Sequence, residues 1–200
     1  MRAGLVAALT TAAAVAAVVL AGAAVVLGIG NAIGGAANAA GADRPQASVA
    51  PICPETAAVT VGTIVVPRGP VAGFCQDQLV NAAQIIRAAR SLGIGTRTQT
   101  VGVMTAIGES HLRNLDYGDV AGPDSRGIFQ QRDNGAWGTL AERMDPYTAA
   151  LHFFQKAIRV PGWQTMAPTE LAHAVQGNAE AGYYAQYWPE AEQVVAALGS

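Results

Sequence analysis

Charge is scarce in this chain. Only 13% of its 200 residues are charged, against 51% hydrophobic, an apolar balance for a soluble protein. Twelve basic residues stand against fourteen acidic ones, for a net charge of −2. No basic cluster exceeds Arg87 with Arg90, which three-residue spacing sets side by side on a helix as a solvated face. Nucleic-acid binding needs a clustered basic surface, so nucleic acid is not an expected partner. Cysteine is limited to Cys53 and Cys75, neither of them in a CxxC pair, and His111, His152 and His173 are scattered. That spacing argues against a zinc site, and no metal is expected. A phosphate loop is also missing: Gly28-Ile29-Gly30 sits in an apolar N-terminal run and Gly93-Ile94-Gly95 between two helices. Neither follows a strand, as a nucleotide-binding glycine loop must, and no cofactor is expected.

The shortage of charge is uneven. After Met1-Arg2, residues 3–30 carry no charged side chain, whereas charges beyond Gln76 are spread as in a globular domain. The apolar run exceeds the ~15 residues of a signal-peptide core and reaches the ~20 that span a bilayer. Length therefore favours an uncleaved anchor in the cytoplasmic membrane. The small residues Asn38-Ala39-Ala40-Gly41-Ala42 keep a cleaved signal peptide open as the alternative. In both cases the rest of the chain is extracytoplasmic, anchored or secreted. Export makes a single disulfide between Cys53 and Cys75 the expectation, two free thiols being the alternative. The bridge would close a loop of about 20 residues, worth roughly 3 kcal/mol in a chain-entropy account.

Three segments follow: residues 1–30 as signal peptide or transmembrane anchor, 31–75 as a Pro/Gly/Ala-rich linker, and 76–200 as a helical domain. Within the linker, Val59-Thr60-Val61-Gly62-Thr63-Ile64-Val65-Val66 reads as a short strand with no partner to pair with. From Gln76 the periodicity turns helical. Leu79, Ala82, Ala83, Ile86 and Ala89 form one apolar stripe, stopped at Gly93. Thr96 with Gln99 suggests a capping box for a second helix through Val101, Met104, Ile107 and Leu112. Residues 116–126 are turn-rich. Asp145-Pro146 predicts an N-cap and first helical position. A further helix starts near Pro168, and a last one near Ala179, with Pro189 as an interruption. The fold class is all-α, five or six short helices around irregular loops.

Glu109 is the residue of chemical interest. At 100° per residue, Val101, Met104, Gly108 and Leu112 share one side of the second helix and Glu109 borders it. A carboxyl at the lip of an apolar face is partly desolvated, which raises its pKa. A general acid for glycosidic cleavage must keep its proton near neutral pH. Gly108 leaves room for a sugar ring, and Ser110 offers a hydroxyl to the same cleft. On periodicity alone, Glu109 reads first as a solvated helix residue, as most helix glutamates are.

The neighbouring motifs add to this. Ile107-Gly108-Glu109-Ser110 is followed by Leu112-Arg113-Asn114-Leu115-Asp116-Tyr117-Gly118-Asp119 and by Asp124-Ser125-Arg126-Gly127-Ile128-Phe129-Gln130-Gln131-Arg132. Trp137-Gly138, Asp145-Pro146 and Val160-Pro161-Gly162-Trp163 come later. With these residues, positions 78–197 resemble the soluble lytic transglycosylase family of lysozyme-like proteins, in its actinobacterial branch. A Glu-Ser pair alone is weak; Glu-Ser with Gly-Ile-Phe-Gln-Gln some twenty residues on is a specific combination.

The resemblance implies a lysozyme-like fold and cleavage of peptidoglycan glycan strands between N-acetylmuramic acid and N-acetylglucosamine. Glu109 matches the family's single catalytic glutamate. Residues 127–130 match the Gly-Leu-Met-Gln segment that shapes the cleft floor, so Gln130, with Gln131, would bind substrate. The family's Ala-Tyr-Asn-Ala-Gly motif is altered: Ala174-Val175-Gln176-Gly177-Asn178-Ala179 puts Gln176 for the asparagine and Val175 for the tyrosine. Tyr183, Tyr184 or Tyr187 would supply the missing ring, with Tyr183 the substrate-binding candidate. Most glycosidases use two carboxylates; this family usually manages with one. Asp116, Asp119 or Asp124 could instead orient a water, giving a muramidase. A non-catalytic wall-binding module, or a component of a secretion or conjugation complex, are the other expectations.

Overall fold

The computed structural model describes residues 51–178 and 180–199. The apolar run at 3–30, the small-residue segment after it and the start of the last helix at Ala179 lie outside them. The described residues belong to one folded unit. They are mostly helical, as the periodicity predicts.

Among the described residues six α-helices follow one hairpin: α1 (Gln76–Ser91), α2 (Thr96–Ser110), α3 (Leu140–Met144), α4 (Pro146–Ala157), α5 (Pro168–Gln176) and α6 (Trp188–Gly199). A 3-10 helix, Tyr183–Tyr187, precedes α6. Among the described residues no helix is long and apolar enough to cross a membrane.

The stripe expected on α1 is buried, with Leu79, Ala82, Ala83, Ile86 and Ala89 wholly covered. Helix α4 opens as predicted, with Asp145 Oδ1 accepting the Thr148 amide at 2.8 Å ahead of Pro146. Pro168 opens α5 and Gly177, at φ 72°, ends it. Two expectations change. The capping box at Thr96 and Gln99 does not form: Gly95 is the N-cap, and Gln99 Nε2 donates to Ile94 O at 2.8 Å. A capping box occurs one helix earlier, where the Cys75 amide donates to Gln78 Oε1 at 3.0 Å. Pro189 does not interrupt the last helix but lies in its first turn, where no intrahelical N–H is needed.

The linker expected at 31–75 also changes over its described part. Val59–Val61 (β1) folds back on Ile64–Val66 (β2) as an antiparallel hairpin, Val61 opposite Ile64. Gly62 takes φ 62° at the turn, so the run supplies its own strand partner. Val61, Ile64 and Val66 are buried, and the hairpin packs on α1 and α6. The Cys53–Cys75 disulfide ties the segment before the hairpin to the start of α1.

Helix α2 is the centre. Every residue from Thr98 to Ile107 is buried, the signature of a helix packed on all sides. It meets α1, α4, α5, α6 and the 3-10 helix. Gly102 makes the α4 contact tight: a methyl there would lie 2.4 Å from Phe154 Cζ. Phe154 packs edge-on to Phe153, which stacks on Phe129 at 4.8 Å, so its ring has little room to yield. Gly102→Ala should therefore cost about 1–3 kcal/mol by overpacking. Urea unfolding checks this: the midpoint should fall with an unchanged slope, and an unmoved midpoint would contradict the packing.

Candidate active site

Helix α2 ends abruptly after Ser110. His111 and Leu112 both take left-handed backbone, φ 53° and 59°, a costly choice for residues with a side chain. Helix α1 holds it in place: Gln78 Nε2 donates to His111 O and Asn81 Nδ2 to Leu112 O, each at 2.8 Å. The wholly buried Leu112 side chain adds an anchor. Glu109 is thus set in the last turn of the central helix, where the chain emerges from the core.

The Glu109 carboxyl is part-buried and accepts a hydrogen bond from the Tyr184 hydroxyl at Oε1. Burial raises its pKa above the ordinary value of 4.5. Hydrogen bonds from Tyr184 and Gln176 pull the other way, and the Asp119 charge adds to the rise. The net direction is up, because loss of hydration outweighs two hydrogen bonds. Burial, then the Glu109 charge, pushes the Tyr184 phenol up as well, so it stays a donor.

Glu109 opens on a cleft of about 320 Å³, large enough for part of a small-molecule or sugar ligand. Asp119, Gln130, Trp137, Lys156, Gln176 and Asn178 are among its walls. Gln130 takes left-handed backbone at φ 46°, with Nε2 donating to Gly127 O at 3.1 Å. Gln176 Nε2 donates to Phe129 O at 2.9 Å, which ties α5 to the 127–130 turn beside Glu109. Gly127 is required in that turn: at φ 77°, a methyl would lie 2.0 Å from Arg143 O.

Some predicted residues have other roles. The Ser110 side chain is buried and its hydroxyl donates to Ile128 O at 2.8 Å; it fastens the 127–130 turn to α2 and is not offered to the cleft. Gly108 makes room for tyrosines, not for a sugar: a methyl there would lie 2.9 Å from Tyr184 and 3.0 Å from Tyr187. Gln131 borders the cleft, but it is buried with Nε2 on Ala149 O at 3.1 Å, a bond that holds α4. Tyr183 donates to Gly108 O at 2.9 Å and shares a shallower depression with Glu109. It is the adjacent Tyr184 that bonds the carboxyl. Val175 is core. Of the aspartates, Asp119 lines the cleft, Asp124 pairs with Arg132 at 2.6 Å, and Asp116 is exposed.

Periodicity gave no signal for Trp137, Lys156 or Asn178, which come from loops and from a helix face that turns towards the cleft only in the folded chain. Among the described residues no group of His, Cys, Asp or Glu could hold a metal ion. No protein-family model matches this chain, and no curated protein does.

Because the Tyr184 bond lowers the Glu109 pKa, Tyr184→Phe should move it further up. Carboxyl carbon NMR through a pH titration reads the shift directly; an unmoved or lower value would refute the contact.

Proposed function

We propose that this chain is a lytic transglycosylase that cleaves peptidoglycan glycan strands, with Glu109 as its one acid/base and a lysozyme-like helical arrangement around it. The observation that carries the proposal is the Glu109 carboxyl, its pKa raised by burial and its side chain open to a cleft. The resemblance of positions 78–197 to that family supports the substrate class.

In this mechanism the protonated Glu109 donates to the glycosidic oxygen after N-acetylmuramic acid. The substrate's acetamido oxygen stabilises the cation forming at the anomeric carbon. Glu109, now a carboxylate, takes the proton of the sugar's 6-hydroxyl as that oxygen closes a 1,6-anhydro ring. Tyr184 donates to the carboxylate, and the Gln176 amide beside it also favours the charged form, so both stabilise it in the interval between the two proton transfers. Gln130 and Asn178 stand at the cleft wall, one N–H of each given to Gly127 O and Glu180 O, and the second N–H of each amide is offered to hydroxyl and acetamido groups.

A hydrolytic outcome is favoured by one observation: Asp119 lines the same cleft and its charge is felt at Glu109. With Oδ1 accepting the Gly122 amide at 2.7 Å, it is held where it could orient a water as general base. Mass spectrometry of digested wall separates the two. Anhydro-muramic ends are expected; reducing ends without anhydro products would assign a muramidase. The site of action we propose is outside the cytoplasmic membrane, supported by the disulfide and the apolar N-terminal run. Membrane anchorage and service to a secretion or conjugation complex are proposed on that run alone.

Glu109→Gln should lower wall-digesting activity by at least about 100-fold, the usual worth of a positioned acid/base. A variant as active as the parent would end the catalytic assignment, and a parent that binds wall without degrading it would indicate a binding module.

The same variant should alter stability in a pH-dependent way. The folded Glu109 holds its proton more tightly than the unfolded chain, whose pKa is 4.5. Its contribution to stability is therefore complete below about pH 4.5 and lost as pH rises through the higher folded value. Glu109→Gln, always neutral, should raise Tm near pH 7 and leave it little changed at pH 4. A Tm gain of equal size at both pH values would contradict the raised pKa.

A further inference from the structure

Lys156 lies on α4, and its ammonium reaches the wall of the same cleft as Glu109. An ammonium has three donors. One goes to Val175 O at the end of α5, and the group sits 4.5 Å over the centre of the Trp137 ring. Trp137 is buried and also borders the cleft. The ion pairs among the described residues are Arg132–Asp124 and Arg143–Asp133. Lys156 has no carboxylate partner among them, although Asp119 and Glu109 line the same cleft. The part of it that is covered lowers its pKa, the direction expected of a cation that has given up some hydration without gaining a counter-ion. An ammonium on an exposed lysine, laid over an indole, with donor capacity left over and facing a ligand-sized space, is suited to an anion beside an apolar ring face.

We propose that Lys156 and Trp137 form a carboxylate-accepting subsite, so that the cleft selects glycans bearing an acidic substituent over neutral ones of the same length. This rests on the glycan-cleaving assignment above and specifies which glycan. In a strand containing N-acetylmuramic acid, a carboxylate has two sources. One is the lactyl group itself, ionised wherever no peptide is attached; the other is the free carboxylates of an attached peptide. Both offer the same chemistry to Lys156, a charge-assisted hydrogen bond from a partly desolvated ammonium. Trp137 would meet the apolar face of the neighbouring ring. The cationic Arg132, also at the cleft wall, is paired with Asp124 and is the lesser attraction.

The other role open to Lys156 is structural, holding the last carbonyls of α5 as a cation at a helix C-terminus. Substrate choice separates the two. Binding is measured by calorimetry on the full chain carrying Glu109→Gln, so that ligands survive. Three tetrasaccharides serve as probes: chitotetraose, which is neutral; the alternating N-acetylglucosamine–N-acetylmuramic acid tetramer with free lactyl groups; and the same tetramer bearing peptides. One or both acidic probes should bind about tenfold tighter than chitotetraose, the scale of one charged hydrogen bond, and which of them does so assigns the carboxylate. Lys156→Met, which keeps the stem and removes the ammonium, should erase that preference while leaving chitotetraose binding within about twofold. Lys156→Arg should restore part of it. Equal affinity for all three probes overturns the subsite, as does an equal loss for all three in Lys156→Met. No measurable affinity for any of them overturns the glycan assignment itself, and this proposal with it.

Discussion

The burial of helix α2 on every side is the constraint from which the site follows. Ten consecutive residues, Thr98 to Ile107, have no water contact of consequence, so the helix cannot rotate or slide without emptying the core. Glu109 comes one residue after Gly108, where the burial first relaxes. Its position is therefore inherited from the packing of α1, α4, α5 and α6 around a rod. A carboxyl held this way cannot retreat into solvent to recover its hydration. That inability keeps its pKa up, and the tyrosine and glutamine donors then moderate the rise.

The same rigidity organises the floor of the cleft. Ser110, at the last position of α2, bonds Ile128 O, and Gln176, at the last position of α5, bonds Phe129 O. Two helix ends thus clamp one turn from opposite sides. Gln131 continues the clamp to α4 through Ala149 O. The polar residues near Glu109 divide between those that hold this turn and those whose donors remain available. Glutamine recurs because its long amide reaches a backbone carbonyl across a gap that serine or asparagine would not span. The conformation at the end of α2 belongs to the same scheme: two left-handed residues are tolerated because α1 amides satisfy both carbonyls.

Much of the helical frame was legible in advance. Helices α1, α4 and α5 carry apolar periodicity together with unambiguous ends, Gly93, Asp145-Pro146 and Pro168, and those local signals agree with the folded result. Helix α2 was harder, since a rod buried all round has no stripe to locate; assigning Glu109 to the border of one face understated its surroundings. The run Val59–Val66 reads as a single strand in sequence because nothing local distinguishes Gly62 as a turn from a glycine within a strand; only the fold gives it φ 62°. Nearness to Glu109 in the chain points Ser110 and Gly108 towards substrate, while the fold uses one to hold the 127–130 turn and the other to admit two tyrosines.

The chain alone determined the helix-rich class, the position of the carboxyl near the end of its helix and the pair of cysteines, because these depend on neighbours within a few residues or on composition. It could not decide which of three clustered tyrosines bonds Glu109. That depends on whether Tyr183–Tyr187 winds as an α- or a 3-10 helix, and the two windings turn different side chains inwards. Nor could it bring Lys156 and Trp137 to the same wall as Glu109. Residues 19 and 47 positions apart in sequence meet there only because α4 and α5 pack against the central rod, and such meetings are settled by the volume of the core.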